Sequence, residues 1–271
     1  MLNIIIVSHG HEEYINKLLD YIEITKLDRM KFRFVIKDNK KSDELKELCD
    51  KADVLYCRSN MSMGFGANNN YAVNQLIKNF NIENTDYFLF LNPDILLSSD
   101  ILDELYKVLR EEGYDACTLD LFKDIELSQR DMFIRTFPTT KDFISSYLLG
   151  VNNTTINREF IHHPETIDWC AGSFLIIRKD VFLSLNGFDE CYFMYCEDLD
   201  ICFRLKLSGY KLTYIPNLYA IHYAQHANRK ILSKPFFWHL RSVFRYLYKG
   251  FIFGTNKAYL ERTKSLFKKH E

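Results

Sequence analysis

The feature that most constrains the fold is an alternation of two residue patterns along the first 120 residues of the chain. Short, continuous runs of β-branched and aromatic residues, typical of strands buried on both faces, alternate with segments whose apolar residues recur at helical spacing. The predicted strands are Asn3–Val7, Phe32–Lys37, Val54–Cys57, Tyr87–Leu91 and Asp115–Thr118. Repeated βαβ units of this kind predict an α/β fold, with a mostly parallel sheet flanked by helices.

The second half of the chain is less regular, but it mixes the same two patterns. We predict helices near Lys141–Leu149 and at Glu197–Ser208, a strand-like run at Thr166–Arg178 that Ala171-Gly172 interrupts, and short strands at Lys211–Ile215 and Tyr219–His222. At 271 residues, the chain is long enough for one large domain or for one domain with an appendage.

Cysteine usage and hydropathy indicate the compartment. The seven cysteines form no C-x-x-C pair and their number is odd, so we expect reduced thiols in a cytosolic protein. The apolar run Ile4–Val7 is too short for a signal peptide, and no apolar run approaches the length of a membrane-spanning helix.

Polar side chains cluster where predicted strands end. The clusters are Ser8-His9-Gly10, Asp38-Asn39 and Asn92-Pro93-Asp94. In an open α/β sheet, ligands bind in the crevice beyond the carboxyl ends of the strands, so three converging clusters favour a ligand site. A carboxylate at the end of an apolar strand, as at Asp94, can bind Mg²⁺ whose other positions are filled by phosphates and water. The alternative is that these are ordinary βα-turn residues.

The Gly/Asn-rich segment Gly64–Asn70 precedes a predicted helix and offers a second phosphate-binding candidate. Because Gly66 has no side chain, its backbone can approach a ligand closely, and helix N-termini favour phosphate. Asn69 stands where a dinucleotide fingerprint needs its third glycine, and no G-K-S/T follows, so neither that fingerprint nor a P-loop is present. The alternative is a loop whose amide side chains cap the helix.

Three carboxylates, Glu197, Asp198 and Asp200, stand within four residues at the start of a predicted helix. Their repulsion can raise one pKa toward the range useful for a general base, and Asp198 is the candidate. Asp200 is expected to pair with Arg204 one turn later. The alternative for Asp198 is a solvated first-turn acid. His222 stands at a strand end without the H-E-x-x-H pattern, so the residue alone indicates a structural histidine.

Residues 229–271 are basic, with eleven Lys or Arg against two Asp or Glu, although the whole chain carries −1. The segment also contains ten aromatic residues. Basic amphipathic helices with aromatic residues lie in membrane interfaces, and we predict that this segment docks on an anionic membrane surface. Its predicted membrane contacts are Phe236, Trp238, Arg241, Arg245, Lys249 and Phe253. The alternatives are a packed helical pair and an RNA-binding tail; we expect no nucleic-acid partner.

Several motifs, taken together, resemble those of the family 2 glycosyltransferases with the GT-A fold, and in particular the bacterial rhamnosyltransferases of that family. They are Phe90-Leu91-Asn92-Pro93-Asp94, Asp168–Ser173, Asn186-Gly187-Phe188-Asp189, Tyr192–Asp200 and Ile221–His226. The resemblance implies a GT-A domain over residues 1–228, with a nucleotide-sugar-binding half (about 1–120) and an acceptor-binding, catalytic half (about 121–228). Residues 229–271 then form a membrane-associating extension.

The resemblance also implies an activity. It is the transfer of L-rhamnose from dTDP-β-L-rhamnose to N-acetylglucosaminyl-diphospho-undecaprenol, with inversion, in O-antigen synthesis at the inner face of the cell membrane. Two alternatives stay open at this stage. The donor could be another nucleotide sugar, such as a UDP-hexose or UDP-galactofuranose, or the chain could be a non-catalytic nucleotide- or glycan-binding module.

The roles that the resemblance implies fall on residues from both halves of the chain. Asp198 matches the catalytic base, and Asn92 and Asp94 match the D-x-D metal and diphosphate site, with His222 nearby. On the donor side, Ser8 and Asp38 match the nucleoside contacts, and Gly66 and Asn69 fall in the same site. The residues on the acceptor side are Trp169, Gly172 and Glu197. The implied metal is Mg²⁺ or Mn²⁺. Because Asn92 replaces the first Asp of D-x-D, this site has one negative charge fewer.

Overall fold

The computed structural model describes residues 1–223 and 234–253, and its centre is a mixed β-sheet. The strands are β1 (Leu2–Ser8), β2 (Phe32–Asp38), β3 (Leu55–Arg58), β4 (Tyr87–Leu91), β5 (Ile95–Leu96), β6 (Ala116–Phe122), β7 (Ile134–Arg135), β8 (Glu165–Ile167), β9 (Trp169–Cys170), β10 (Phe174–Arg178) and β11 (Leu212–His222). Among the described residues, nine strands form one sheet in the order β3-β2-β1-β4-β10-β6-β11-β5, with β8 also on β11. β7 and β9 pair separately.

The first half of the sheet is parallel, as the βαβ pattern predicts. Strands β3, β2, β1 and β4 run in the same direction, and Ser8 lies beside Asp38 at the carboxyl ends of β1 and β2. The α/β prediction is therefore confirmed. In the second half, antiparallel β10 lies between β4 and β6, so the sheet becomes mixed.

The position of β10 matters for the site. Phe174 at its start pairs with Leu91 at the end of β4, so the turn before β10 meets the residues that follow β4. The Asn92 backbone N–H donates to Ser173 O over 2.9 Å. Residues far apart in sequence thus meet at the carboxyl edge of the parallel strands.

Eight α-helices are described, together with one 3₁₀ turn at Ile24–Lys26. They are α1 (Glu12–Tyr21), α2 (Asp43–Ala52), α3 (Phe65–Asn79), α4 (Ser99–Glu112), α5 (Thr140–Leu149), α6 (Lys179–Ser184), α7 (Glu197–Leu207) and α8 (Lys234–Phe253). Ser42 caps α2, since its Oγ accepts from Leu45 N. No described helix is long and apolar enough to cross a membrane.

Two predicted boundaries differ from the structure. The segment predicted as a loop over Gly64–Asn70 is the first part of α3, because the amide groups of Asn68 and Asn69 donate to carbonyls four residues earlier instead of interrupting the helix. The two short strands predicted around Pro216 form one strand, β11. Its pairing with β6 is irregular there, which accommodates a residue without an N–H.

The core consists of apolar strand residues and aromatic rings between sheet and helices. Phe90 of β4 packs against Phe182 of α6 and Phe188, at 5.1 and 4.9 Å between ring centroids. All seven cysteines are free, and only Cys191 is exposed. The free thiols agree with the prediction from cysteine number and spacing.

Helix α8 packs on the body of the protein, which corrects part of the membrane prediction. Arg245 and Lys249 do not face outward: both form ion pairs with Asp189, and Lys249 also pairs with Asp200. Arg241 is exposed, whereas Phe236 and Trp238 are half-buried. The prediction for the Phe253 side chain lies outside what the structure describes, as do His226 and residues 254–271.

Candidate active site

The nucleoside candidates Ser8 and Asp38 lie side by side and are fully buried. Ser8 Oγ accepts from His11 N over 3.2 Å. The Asp38 carboxylate accepts from the backbone N–H groups of Lys40 and Ser42, both at 2.7 Å, and from the Tyr56 hydroxyl at 2.9 Å. Asp38 thereby fixes the turn between β2 and α2. A contact of either residue with a nucleoside stays a prediction.

Asp94 and His222 meet where β11 pairs with β5, and Asn92 lies two residues before Asp94, directly after β4. His222 pairs with Ile95 across the two strands, and the Tyr223 N–H donates to Asp94 O over 3.1 Å. This pairing brings His222 Nε2 to 3.6 Å from Asp94 Oδ1. The side chains of Asn92 and Asp94 follow a buried strand but keep partial exposure, as ligand-binding groups require.

A residue that sequence reasoning missed, Asp131, holds His222 from the other side. Its Oδ2 lies 2.5 Å from His222 Nδ1. Burial lowers the pKa of His222, but the hydrogen bonds with Asp131 and then Asp94 outweigh it and raise the pKa to about 9. The raised pKa favours the imidazolium form of His222 beside Asp94, where a diphosphate would need positive charge.

The cluster fits a metal site that substrate completes. Within residues 1–223 and 234–253, no group of three or more His, Cys, Asp or Glu is arranged to hold a metal ion. One carboxylate (Asp94) and one amide (Asn92) nevertheless match the protein share of a Mg²⁺ site, whose other ligands are phosphate oxygens and water. His222 could ligate through Nε2 once it loses its proton.

The candidate base Asp198 lies at the start of α7 in two backbone hydrogen bonds. Gly172 N donates to Oδ2 over 2.9 Å, and Leu199 N donates to Oδ1 over 2.8 Å. Burial raises the pKa of Asp198, and it outweighs the lowering by these N–H groups and by Arg135. A partly exposed carboxylate with a fixed orientation and a raised pKa suits a general base.

The neighbouring Glu197 is buried, with 6% of its surface exposed. Its Cβ lies 3.6 Å from the point where a Cβ on Gly66 would stand, so the side chain meets helix α3. In the part of the chain that the structure describes, Glu197 Oε2 has no hydrogen-bond partner. Burial and then the Asp198 charge raise the pKa of Glu197, which favours a neutral Glu197 beside an ionised Asp198. An acceptor contact by Glu197 stays a prediction.

Asp200, the third carboxylate, is structural, as the predicted pair with Arg204 indicates. It is fully buried, and Arg204 Nε donates to its Oδ2 over 2.7 Å. The three acids at the start of α7 thus take different positions, and only Asp198 faces partly outward.

On the predicted acceptor side, Gly172 borders Asp198, and Trp169 lies on β9 beside Arg135. Trp169 Nε1 donates to Thr136 O over 2.9 Å, and the Arg135 guanidinium stands 5.5 Å from the centroid of the indole ring. A Cβ on Gly172 would lie 3.3 Å from the Phe65 ring and 3.4 Å from Asp198 Cβ, so glycine lets this backbone N–H approach the carboxylate. Sequence reasoning missed Arg135, which lies in a stretch without periodicity.

Gly66 and Asn69 are both buried in α3. A Cβ on Gly66 would lie 2.8 Å from Phe188 Cβ, and Asn69 Nδ2 donates to Phe65 O over 3.0 Å. Both residues therefore serve the packing of α3 against the rest of the fold. Their contact with a donor stays a prediction.

One short turn connects the two chemical centres. Ser173 accepts from Asn92 N on the Asp94 side, and Gly172 donates to Asp198 on the other. The residues around Asp94 and the Asp198 carboxylate therefore flank a single backbone turn. Such an arrangement can stabilise an anionic leaving group while a hydroxyl is deprotonated nearby.

Comparison with known proteins identifies the family to which this chain belongs. The model described as "Glycosyltransferase like family 2" matches residues 2–242. The rhamnosyltransferase WbbL of Escherichia coli (strain K12) is 45% identical over 267 residues, which are 98% of this chain and 99% of WbbL. The N-acetylglucosaminyl-diphospho-decaprenol L-rhamnosyltransferase of Mycobacterium tuberculosis is 33% identical over 81 residues, or 30% of this chain and 26% of that enzyme.

A solved structure supports the fold independently. A mannosyltransferase from Pyrobaculum calidifontis, in complex with GDP-Man and Mn²⁺, superposes with a TM-score of 0.55 at 15% identity, over 84% of this chain and 58% of that chain. The match of the family model along most of the chain, with a relative of 45% identity over nearly its full length, is decisive. This chain is a glycosyltransferase and belongs to glycosyltransferase family 2.

Proposed function

We propose that the enzyme transfers L-rhamnose from dTDP-β-L-rhamnose to N-acetylglucosaminyl-diphospho-polyprenol with inversion. Both rhamnosyltransferase relatives support the sugar, and the mycobacterial N-acetylglucosaminyl-diphospho-decaprenol L-rhamnosyltransferase supports the acceptor. The observation that carries the mechanism is the turn at Gly172 and Ser173, which joins the Asp94 side of the site to the Asp198 side.

The leaving group is a nucleoside diphosphate, whose negative charge grows as the glycosidic bond breaks. Asp94 and Asn92 would hold a divalent cation, Mg²⁺ or Mn²⁺, which when bound supplies positive charge to the diphosphate. His222, held by Asp131, presents its imidazolium to the same anion. Ser8 and Asp38 at the neighbouring strand ends would hold the nucleoside.

Asp198 acts on the attacking group. Its carboxylate takes the proton from an acceptor hydroxyl, while that oxygen bonds to the anomeric carbon and the carbon–diphosphate bond breaks. The displacement is direct, so a β-linked donor gives an α-rhamnoside and dTDP leaves. Arg135, whose charge acts on Asp198, and Trp169 next to Arg135 would border the acceptor sugar.

A donor panel tests the proposal. Purified enzyme is given dTDP-L-rhamnose, UDP-glucose, UDP-galactose or UDP-galactofuranose, with a synthetic lipid-diphosphate N-acetylglucosamine acceptor. The expected result is an α-rhamnosyl disaccharide from dTDP-L-rhamnose and little product from the other donors. Efficient transfer from one of the UDP-sugars, with none from dTDP-L-rhamnose, would show that this UDP-sugar is the donor and that the proposed donor is wrong.

A polyprenyl-linked acceptor lies at a membrane, and we propose that the outer face of α8 meets that surface on its cytoplasmic side. Phe237, Phe244, Tyr248 and Phe251 are exposed, the last by 91%, and their spacing of seven, four and three residues places them on one face. The exposed Arg241 lies in the same row. Aromatic rings with a basic residue suit the interface of an anionic leaflet.

Co-sedimentation with phosphatidylglycerol vesicles tests this docking. The intact protein should sediment with the vesicles at low salt, and more salt should weaken the binding without abolishing it, because the aromatic insertion is not screened. Replacing Phe244 and Phe251 by Ser should release most of the protein. The matched control is Phe160→Ser, a ring with 76% exposure elsewhere. If the intact protein does not sediment with anionic vesicles at low salt, the proposed membrane docking is wrong.

A further inference from the structure

The inner face of α8 carries a buried cation that the proposed chemistry does not use. Lys249 has 6% of its surface exposed, and its Nζ lies 2.5 Å from Asp189 Oδ2 and 2.5 Å from Asp200 Oδ1. The Nζ also lies 4.9 Å from the ring centroid of Tyr192. One ammonium group thus joins α8, the loop after α6 and the catalytic helix α7.

The two carboxylates occupy positions that determine where α7 begins. Asp200 is two residues beyond Asp198 on α7, and Asp189 begins the segment 189–196 that leads into this helix. Arg204 completes the pairing of Asp200, and Arg245 completes that of Asp189. Because buried carboxylates without partners are costly, these pairs fix the loop and the helix relative to α8.

The segment between the two carboxylates needs such a constraint. Tyr195 and Cys196, immediately before α7, have φ angles of 70° and 62°, in the left-handed region that disfavours side chains with a Cβ. Helix α8 also contacts this segment directly. Ser242 Oγ donates to Met194 O over 3.0 Å, and the Trp238 ring packs against Phe193 in a tilted arrangement, at 4.8 Å between centroids.

We propose that Lys249 is a positioning residue of the transfer reaction, which holds α7 so that Asp198 points at the acceptor hydroxyl. The inference rests on the proposed role of Asp198 as the base. It makes α8 part of the catalytic apparatus, although no α8 side chain needs to touch a substrate.

The test measures turnover of Lys249→Met on a short, water-soluble acceptor, well below the unfolding temperature. Displacement of a catalytic group by about 1 Å can cost about 10²-fold, so we expect kcat to fall about 10- to 100-fold. The KM for the donor should stay near its original value, because the ion pairs of Lys249 are made with Asp189 and Asp200, on the α7 side of the site. Lys249→Arg, which keeps the charge, should restore most of the turnover. Lys46→Met, which breaks an exposed ion pair with Asp50 on α2, is the control and should change nothing.

Lys249→Met leaves a carboxylate short of a cation and can fail to fold. The double variant Lys249→Met with Asp200→Asn removes one charge of each sign and decides the question in that case. It should fold and show the same loss of kcat. If either folded variant keeps the original kcat, the inference is wrong.

The Asp198→Asn background separates this inference from the proposed function. If Lys249 acts through Asp198, Lys249→Met should cost little further turnover once Asp198 is replaced, since coupled residues are not additive. A full additional loss there would show that Lys249 does not act through the base. If Asp198→Asn itself keeps normal turnover, the proposed base fails. If Asp198→Asn is inactive but Lys249→Met is not, only the positioning role fails.

Discussion

The close approach of two backbones at Gly64 and Phe193 predicts a strong effect for one added methyl group, in Gly64→Ala. A Cβ on Gly64 would stand 2.0 Å from Phe193 O and 2.6 Å from both Phe193 C and Phe193 Cα. Carbon atoms do not come closer than about 3 Å to a backbone oxygen, so the two segments must separate by about 1 Å. That shift breaks the hydrogen bond from Phe65 N to Phe193 O, now 3.0 Å long.

The magnitude follows from these contacts. Overpacking costs about 1–3 kcal/mol and the lost hydrogen bond about 1 kcal/mol, so the free energy of unfolding should fall by about 2–4 kcal/mol. Phe193 lies four residues before Glu197, where α7 begins, so the same shift displaces Asp198. We therefore expect kcat to fall by about 10-fold or more.

Urea unfolding and steady-state turnover measure the two effects. Gly250→Ala in α8 is the matched control, because nothing lies within 4 Å of its added Cβ. It should stabilise the helix by about 0.5–1 kcal/mol. A Gly64→Ala protein as stable and as active as the original would refute the argument that this approach sets the position of α7.

Two further predictions concern charged groups. Asp94→Ala should weaken dTDP binding in calorimetry and remove any stimulation by Mg²⁺ or Mn²⁺; unchanged affinity would take Asp94 out of the donor site. Burial raises the pKa of Asp189, but Lys249 and Arg245 more than reverse this, so the folded pKa lies below the ordinary value. Stabilisation by Asp189 should therefore be complete above about pH 4 and disappear as the pH falls further. In urea unfolding, Asp189→Asn should be less stable than the original protein near neutral pH and equally stable only in strong acid. An equal loss of stability at every pH would contradict the ion pairs.

The sequence predicts the parallel half of the fold well, for a local reason. Each of the strands β1, β2 and β4 is buried on both faces, so a continuous apolar run marks it, and the helix between two such runs shows its own period. The polar residues that end these strands, such as Ser8 and Asp38, then meet at one edge because parallel neighbours end together.

Contacts made by irregular segments are not visible in the same way. Asp131 and Arg135 lie in a stretch without helical or strand period, and nothing local indicates that one meets His222 and the other Trp169. The resemblance implied that His222 lies near Asp94. Their meeting depends on the pairing of β5 with β11, which no periodicity in the sequence predicts.

The basic tail shows where charge counting fails. In the sequence of a basic helix, a lysine that faces a membrane cannot be told from a lysine that pairs with a buried carboxylate. The partners of Lys249 are 60 and 49 residues away along the chain. Only the tertiary structure shows that α8 turns Lys249 and Arg245 inward and keeps Phe244 and Phe251 outside.

The rate of rhamnosyl transfer by Asp198→Asn tests whether Asp198 is the base. The assay uses dTDP-L-rhamnose and the lipid-diphosphate N-acetylglucosamine acceptor, with dTDP affinity measured on the same preparation. An amide keeps the size of the side chain but cannot take the hydroxyl proton. We expect turnover to fall by about 10²–10⁴-fold at nearly unchanged dTDP affinity. Turnover within a few-fold of the original enzyme would contradict it, because the base would then lie elsewhere.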